Sequence, residues 1–258
     1  MKLGFLGTGT ITSAIVTGLS SSGIHSHPIR VSPRNSAVAA DLANRFPQVS
    51  VASSNQQVVD ECETVLIAVR PQIARSVLPE LRFRPGQNVI SLVAGFSVWR
   101  IAELVAPALR VTRAVPLPST AKRRCPTAIF PRDPVTVELF SSLGAAFEVD
   151  TESEFDALCT ATATMAAYFT FADCVASWLM RQGVPEAKSR NYIAQIYSDL
   201  ADTAKESPEQ SFQSLAVDHA TKGGTNQQVV TDLTRDGVFE RLSEALDAVM
   251  RRVTGQHS

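Results

Sequence analysis

Short apolar runs recur through the first part of the chain: Lys2–Leu6, Ile29–Ser32, Val49–Val51, Thr64–Ala68, Asn88–Val93, Val111–Ala114, Ala128–Phe130 and Phe147–Val149. Each is bounded by Gly, Pro or Ser and is too short for a helix, so each predicts a strand. Between the earlier runs, Ile11–Ser21, Ala37–Phe46 and Ile73–Leu81 carry apolar residues at helical spacing. Strands rich in Val, Ile and Leu on both faces, alternating with helices, predict a mostly parallel sheet covered on two sides, a doubly wound α/β domain. From Ser153 onward the pattern is helical. An apolar stretch, Phe155–Leu179, has Ser153 and Asp156 as its start signal and Gln182-Gly183-Val184-Pro185 as its stop, because Gly ends a helix in a left-handed turn and Pro cannot continue one. Further helices are predicted over Glu186–Lys205, Ser211–His219, Gln227–Arg235 and Phe239–Val253. This change of pattern divides the chain into an α/β domain over 1–151 and a helical domain over 152–258.

Composition narrows the class of protein. Among 258 residues, 24 basic and 25 acidic side chains nearly cancel, which argues against a nucleic-acid or anionic-membrane partner. A 45% hydrophobic content is that of a globular chain rather than a disordered one. No apolar run was expected to approach the ~20 residues of a membrane span, and the opening residues reach glycine too soon for a signal peptide. A cytoplasmic protein is expected. Cys62, Cys125, Cys159 and Cys174 are far apart, with no paired spacing and no nearby histidine cluster. That leaves no metal site and four reduced, mostly buried thiols as the expectation. The helical half has several apolar helices and little sheet to pack them on. A lone subunit would expose a large apolar patch, which predicts a homodimer or a higher homo-oligomer.

The first strand, turn and helix carry candidate chemistry. Gly7-Thr8-Gly9-Thr10-Ile11 closes the strand and opens the helix. Gly7 permits the tight turn, Gly9 lets backbone approach a pyrophosphate, and the helix N-terminus offers N–H groups to that anion. The third small residue of the usual fingerprint falls at Thr12, a departure, with Ala14 the nearest small side chain. After the second strand an NAD site carries an acid for the ribose hydroxyl, yet no acid occurs here until Asp41. Ser32 and Arg34 instead offer a hydroxyl and a guanidinium suited to a 2′-phosphate. NADP(H), in preference to NAD(H), is the expected coenzyme.

Beyond this turn the chain resembles the pyrroline-5-carboxylate reductases from end to end. Gly7-Thr8-Gly9-Thr10-Ile11 is similar to the family's opening, and Ala68-Val69-Arg70-Pro71-Gln72 to its A-V-K-P-Q segment, with Arg for Lys. Ser91-Leu92-Val93-Ala94-Gly95, Arg113-Ala114-Val115-Pro116-Leu117 and Leu139-Phe140 match further family stretches, and Gly223-Gly224-Thr225-Asn226 lies where the family has G-G-T-T. The resemblance implies an interlocking helical dimer. It also implies hydride transfer from NAD(P)H to the imine carbon of a cyclic imino acid, giving proline. Cofactor contacts would fall on Gly7, Thr8, Gly9, Thr10, Ile11, Ala68, Val69, Pro71 and Ala94. Thr225 and Asn226 would be catalytic, and Thr221, Gly223, Gly224 and Tyr168 would bind substrate. The two glycines would expose N–H groups to the substrate carboxylate at the start of the last-but-one helix.

The departures gather on the substrate side. The family's second threonine is Asn226, its M-P-N asparagine is Leu117, a glycine-rich stretch is replaced around Met165, and Lys122-Arg123-Arg124 stand where an acidic run is usual. A related imine, reduction of another small carboxylate substrate, and a non-catalytic NADP(H)-binding protein are therefore the competing readings. A 3-hydroxyacid dehydrogenase would need a lysine on the long helix as proton acceptor, and Ser153–Ala187 contains none.

Overall fold

The computed structural model describes residues 2–21 and 27–255. The strands β1 (Leu3–Leu6), β2 (Ile29–Val31), β3 (Val49–Val51), β4 (Thr64–Ile67), β5 (Asn88–Ser91), β6 (Arg110–Val115), β7 (Cys125–Phe130) and β8 (Gly144–Glu148) form one sheet, ordered β3-β2-β1-β4-β5-β6-β7-β8. All neighbours are parallel except the antiparallel pair β6 and β7. Each strand overlaps one of the apolar runs. Side chains alternate faces along a strand, so β1 serves two cores. Leu3 and Phe5 join Leu66, Ile90 and the α1 (Thr10–Ser20) residues Ile15 and Leu19. Leu6 joins Ile67, Val89, Val58 of α3 (Asn55–Glu61) and Ile101 of α5 (Val98–Leu104). The helix α2 (Ser36–Arg45) adds Ala39 and Leu42 to the first core.

The strand order reverses at β1. From there β2 and β3 build outward on one side, while β4, β5 and β6 build on the other. In open parallel sheets the crevice beyond the carboxyl ends of strands at such a reversal receives the ligand. The helix α4 (Pro71–Val77) begins beside that crevice with Pro71 at its first position, where a missing N–H costs nothing and the ring presets the helical φ. It starts earlier than the apolar spacing from Ile73 predicts and gives way to a short 3₁₀ turn, Leu78–Glu80. The helix α6 (Pro134–Ser141) is capped by Asp133, whose carboxylate accepts from Thr136 N.

At the opposite end of β1, Lys2 and Arg30 both pair with Glu61. Hydrogen bonds from Lys2 and Gln57, and then the charge and hydrogen bond of Arg30, hold the Glu61 carboxyl at about 2, below its ordinary 4.5. A carboxyl whose pKa is depressed by folding adds stability that is fully present above the unfolded value and lost as pH falls toward the folded one. Glu61→Gln should therefore flatten the acid limb of stability between pH 4.5 and about 2. Urea denaturation across that range measures it; an unchanged limb would show that the three-residue cluster contributes nothing.

Two compact units make up the chain, one running to Cys159 together with the segment from Arg251, the other spanning Thr160–Met250. In the first, α7 (Glu152–Ala161) is fastened by Arg113 of β6. The guanidinium is 4% exposed, meets Glu152 Oε1 at 2.8 Å and Asp156 Oδ1 at 3.0 Å, and lies 4.2 Å from the centre of the Phe155 ring. The start signal of this helix is not Ser153 with Asp156. Thr151 Oγ1 accepts from Glu154 N at 3.1 Å, and Glu154 reaches back to Asp150 N at 3.0 Å, a near relative of the capping box.

The apolar stretch from Phe155 to Leu179 is also interrupted. The helix α8 (Thr164–Arg181) starts after a turn in which Ala163 N reaches Thr160 O and Met165 N reaches Thr162 O. Thr164 Oγ1 donates to Ala161 O at 2.8 Å, and such local bonds compete with the helical ladder. At its far end Val184 N bonds to Leu179 O and Gly183 N to Met180 O, the Schellman closure that the Gly-Val-Pro stop predicts. The remaining helices are α9 (Glu186–Glu206), α10 (Phe212–His219), α11 (Thr225–Arg235) and α12 (Val238–Val253).

Together α7 and α8 make a segment, Glu152–Arg181, that is long and apolar enough to cross a membrane by length and composition, with 6% of its most apolar window buried. The expectation that no run approaches that length is corrected, since Ala and Thr extend the apolar character between the larger side chains. No residue of α8, α10, α11 or α12 is buried. Phe169 is 70% exposed and Phe212 82%.

Candidate active site

Gly7 carries the turn after β1. Its φ is +100°, and a Cβ there would lie 2.5 Å from the Ala68 carbonyl oxygen. A side chain is thus excluded both by the backbone conformation and by the strand alongside. The turn is held by three hydrogen bonds. Ser32 Oγ accepts from Gly7 N at 2.9 Å, Thr12 Oγ1 donates to Gly7 O at 2.6 Å, and Thr8 Oγ1 donates to Ser32 O at 2.7 Å. Thr12, read from sequence as a departure, is buried and secures the turn that a glycine could not. Ser32 requires a correction. It is fully buried against Gly7 and Thr8, so its hydroxyl stabilises the turn and does not face a nucleotide phosphate.

Gly9, the N-cap of α1, is different in kind. It has extended backbone and no side-chain cap, and the first turn of α1 holds no acidic residue. A Cβ built on Gly9 would meet nothing within 4 Å. The fold itself therefore does not demand glycine there. The first backbone bond of the helix runs from Ser13 N to Gly9 O at 3.0 Å, and the preceding N–H groups of Gly9, Thr10 and Ile11 have no partner among the described residues. Open amides, a positive dipole end and an absent Cβ together fit an approaching pyrophosphate.

Gly9, Thr10, Ile11 and Ala68 line a cleft of about 730 Å³ together with Asn35 and Arg70. Of the other residues expected at the coenzyme, Thr8 is buried beneath the turn, Val69 packs on the second core, Pro71 is half-buried and Ala94 is exposed just past β5. Arg34 is exposed and forms no ion pair among the described residues. Sequence reasoning missed Asn35 and Arg70. Arg70 stood inside a quoted motif, where its charge beside an anion site was the available signal. Asn35 precedes a helix like any ordinary cap and gave no signal.

In the helical unit, residues 221–226 form a tight turn into α11. Gly224 N donates to Thr221 O at 2.8 Å, and Gly223 N donates to Gln227 Oε1 at 2.7 Å. The expectation that both glycines offer free N–H groups to an anion is corrected, because the turn and the Gln227 side chain consume them. The helix starts at Thr225 with Gly224 as N-cap, so the N–H groups without a partner among the described residues are those of Thr225, Asn226 and Gln227. Asn226 Nδ2 donates to His219 O at 2.8 Å, which commits one of its two amide hydrogens. His219 Nδ1 in turn lies 2.8 Å from Leu215 O.

Tyr168 is not a core residue. It is 48% exposed on α8 and meets Phe169 and Tyr197 edge-on, with ring centres 5.2 and 5.8 Å away. These rings line a groove of about 260 Å³ built from α8 and α9, to which the 221–226 turn does not contribute. None of the four thiols is in a disulfide: Cys62 and Cys125 are buried, Cys159 is half-buried and Cys174 is exposed. Burial pushes Cys62 up to about 11 and Cys159 up to about 12, so neither is a thiolate nucleophile near neutral pH.

Residues 2–95 match the family model described as NADP oxidoreductase coenzyme F420-dependent, and residues 152–255 match that of pyrroline-5-carboxylate reductase dimerisation. Pyrroline-5-carboxylate reductase of Vibrio alginolyticus is 24% identical, over 97% of this chain and 96% of its own length. Among solved structures, 1-pyrroline-5-carboxylate reductase from Streptococcus pyogenes superposes with a TM-score of 0.86 at 26% identity, covering 99% of this chain and 98% of that one. The Plasmodium falciparum pyrroline carboxylate reductase with NADP bound shares the fold, with a TM-score of 0.83 at 19% identity over 100% of this chain and 98% of that one.

Proposed function

We propose, since the chain belongs to the pyrroline-5-carboxylate reductase family, that it reduces the C=N bond of a cyclic imino acid, pyrroline-5-carboxylate to proline or a close relative, at the expense of NADPH. The observation that supports this reading is the glycine turn, where an absent Cβ at Gly9 opens onto a cleft and the N–H groups of Gly9, Thr10 and Ile11 have no partner among the described residues. When bound, NADPH supplies a hydride from its nicotinamide to the imine carbon. Gly9, Thr10 and Ile11 hold the diphosphate through their amides, with Arg70 beside them, and Arg34 takes the 2′-phosphate. Thr225 and Asn226, with the open amides of the α11 N-terminus, bind the substrate carboxylate and imine nitrogen. A protonated imine is already electrophilic, so these residues need only bind and orient it. That requirement suits a chain with four scattered histidines.

The exposed apolar faces of α8, α10, α11 and α12 support a homodimer, in which a second copy of the helical domain covers them. The dimerisation match over 152–255 covers the same helices. We take residues 1–151 as the coenzyme domain, 152–258 as the dimerisation domain, and the cytoplasm as its location.

Asn226 in place of a family threonine changes the reach and shape of the donor there, which favours a second reading, reduction of a different imine. Purified protein should consume NADPH with pyrroline-5-carboxylate, followed at the nicotinamide absorbance, and proline should accumulate. Turnover confined to six-membered imines would shift the assignment to the second reading. Binding of NADPH without oxidation across five- and six-membered imines and open-chain keto acids would overturn both.

A further inference from the structure

We propose that Asn35 sets the preference of the coenzyme cleft for a 2′-phosphorylated dinucleotide, by holding Arg34 in place. The inference rests on the reading of that cleft as an NADPH site. An asparagine directly before a helix ordinarily caps it, its side-chain oxygen accepting an N–H of the first turn. Asn35 is the N-cap of α2 and makes no such bond. Its backbone is left-handed, with φ 64° and ψ 63°, a conformation that asparagine adopts more readily than most residues bearing a side chain. The local cap is therefore given up. In return the side chain reaches another loop, where Asn35 Nδ2 donates to Thr8 O at 3.0 Å.

Thr8 is the middle of the glycine turn, and the same turn is tied a second time. Ser32 Oγ accepts from Gly7 N, and Thr8 Oγ1 donates to Ser32 O. Ser32 and Asn35 thus grip Gly7 and Thr8 from both ends of a short bridge, and the bridge is Pro33-Arg34. Proline fixes its own φ, so Arg34 springs from a segment pinned before and after it. It is exposed and without an ion pair among the described residues, while Asn35 itself lines the cleft. Departures from local preference mark functional positions, and here the departure joins the diphosphate turn to the arginine that follows β2.

The chemistry follows from the spacing of phosphates in the ligand. The diphosphate and the 2′-phosphate hang on one ribose, so their separation is confined to a narrow range. A loop tied to the diphosphate turn presents its guanidinium to the second phosphate without first being ordered by it, which removes a cost of binding. NADH lacks that phosphate and gains nothing from the arrangement. Asn35 is thus a positioning residue, and its effect passes through Arg34.

The test is equilibrium titration of NADPH and NADH by nicotinamide fluorescence on the full chain, with Asn35→Gly, Arg34→Ala and the double variant. Glycine tolerates the left-handed backbone, so Asn35→Gly removes the tie without straining the loop; Asn35→Asp, whose carboxylate cannot donate to Thr8 O, is the second variant. Asn35→Gly should weaken NADPH about tenfold and NADH less than about twofold, the scale of one lost hydrogen bond. In the Arg34→Ala background it should have no further effect on the NADPH-to-NADH ratio. Equal weakening of both coenzymes, no weakening, or full additivity with Arg34→Ala would overturn the proposal. If Arg34→Ala alone leaves the ratio unchanged, what fails is the underlying assignment of the 2′-phosphate to Arg34, and that result is separate because Asn35 is intact.

Discussion

Gly9→Ala is expected to leave the protein folded and to remove coenzyme binding. The added Cβ meets no protein atom within 4 Å, so the fold loses only the N-cap preference of glycine over alanine, about 1 kcal/mol, or roughly 2–4 °C in Tm for a chain of this size. On the proposed reading, the same methyl group would block the approach of the coenzyme diphosphate to the amides of residues 9–11. Losing two charge-assisted hydrogen bonds at about 1.5–3 kcal/mol each weakens NADPH by about 100-fold or more. Calorimetric titration with NADPH and a thermal melt on the same sample separate the two effects. Gly7→Ala should show the opposite balance, because there the Cβ runs into the Ala68 carbonyl at 2.5 Å and the fold itself suffers. NADPH binding by Gly9→Ala within a few-fold of the parent would remove the diphosphate from this turn.

The second large effect lies at Arg113. Its guanidinium is buried, pairs with two carboxylates one helical turn apart on α7, and stacks on Phe155. Removing one partner of such a buried cluster leaves the others desolvated and uncompensated, which typically costs about 3–5 kcal/mol. Arg113→Ala should unfold at much lower denaturant than the parent, and the replacement should act by detaching α7 from β6. Glu152→Gln with Asp156→Asn keeps shape while removing both negative charges, and should recover little of that loss because the arginine then stays buried without a counter-charge. Chemical denaturation of the three proteins decides it. Arg113→Ala within about 1 kcal/mol of the parent would show the cluster to be dispensable, on the scale of an exposed ion pair.

Much of this molecule was legible before any coordinates. The central strands β1, β4 and β5 announced themselves because each is short and buried on both faces, the pattern of a covered parallel sheet, whereas outer strands such as β8 stay partly exposed and were marked by their bounding Gly and Pro. Gly7 was legible as a turn glycine, since its positive φ and the Ala68 carbonyl leave no place for a side chain. The seven-residue helices α3 and α5 were not, since two turns carry too little periodicity to register. Ser32 was misread because a hydroxyl at the end of β2 is equally suited to a phosphate or to a buried N–H, and only packing decides between them. Asn35 and Gln227 were invisible for a related reason. Each acts across a loop on a residue whose position the sequence does not reveal. The break at Ala161–Thr164 was hidden by a run of Ala and Thr that reads as uniformly helical until the Thr164 hydroxyl takes the Ala161 carbonyl. Arg113 was noticed for its family motif, whereas its carboxylate partners on α7 emerge only from tertiary structure.

The most direct measurement follows an isotope. NADPH deuterated at both C4 positions of the nicotinamide, incubated with pyrroline-5-carboxylate and the protein, should give proline carrying a single deuterium on the ring carbon formerly double-bonded to nitrogen, as read by mass spectrometry. Unlabelled proline, or no proline while the coenzyme is bound and unoxidised, would contradict hydride transfer to that carbon and with it the assignment of this chain as an imine reductase.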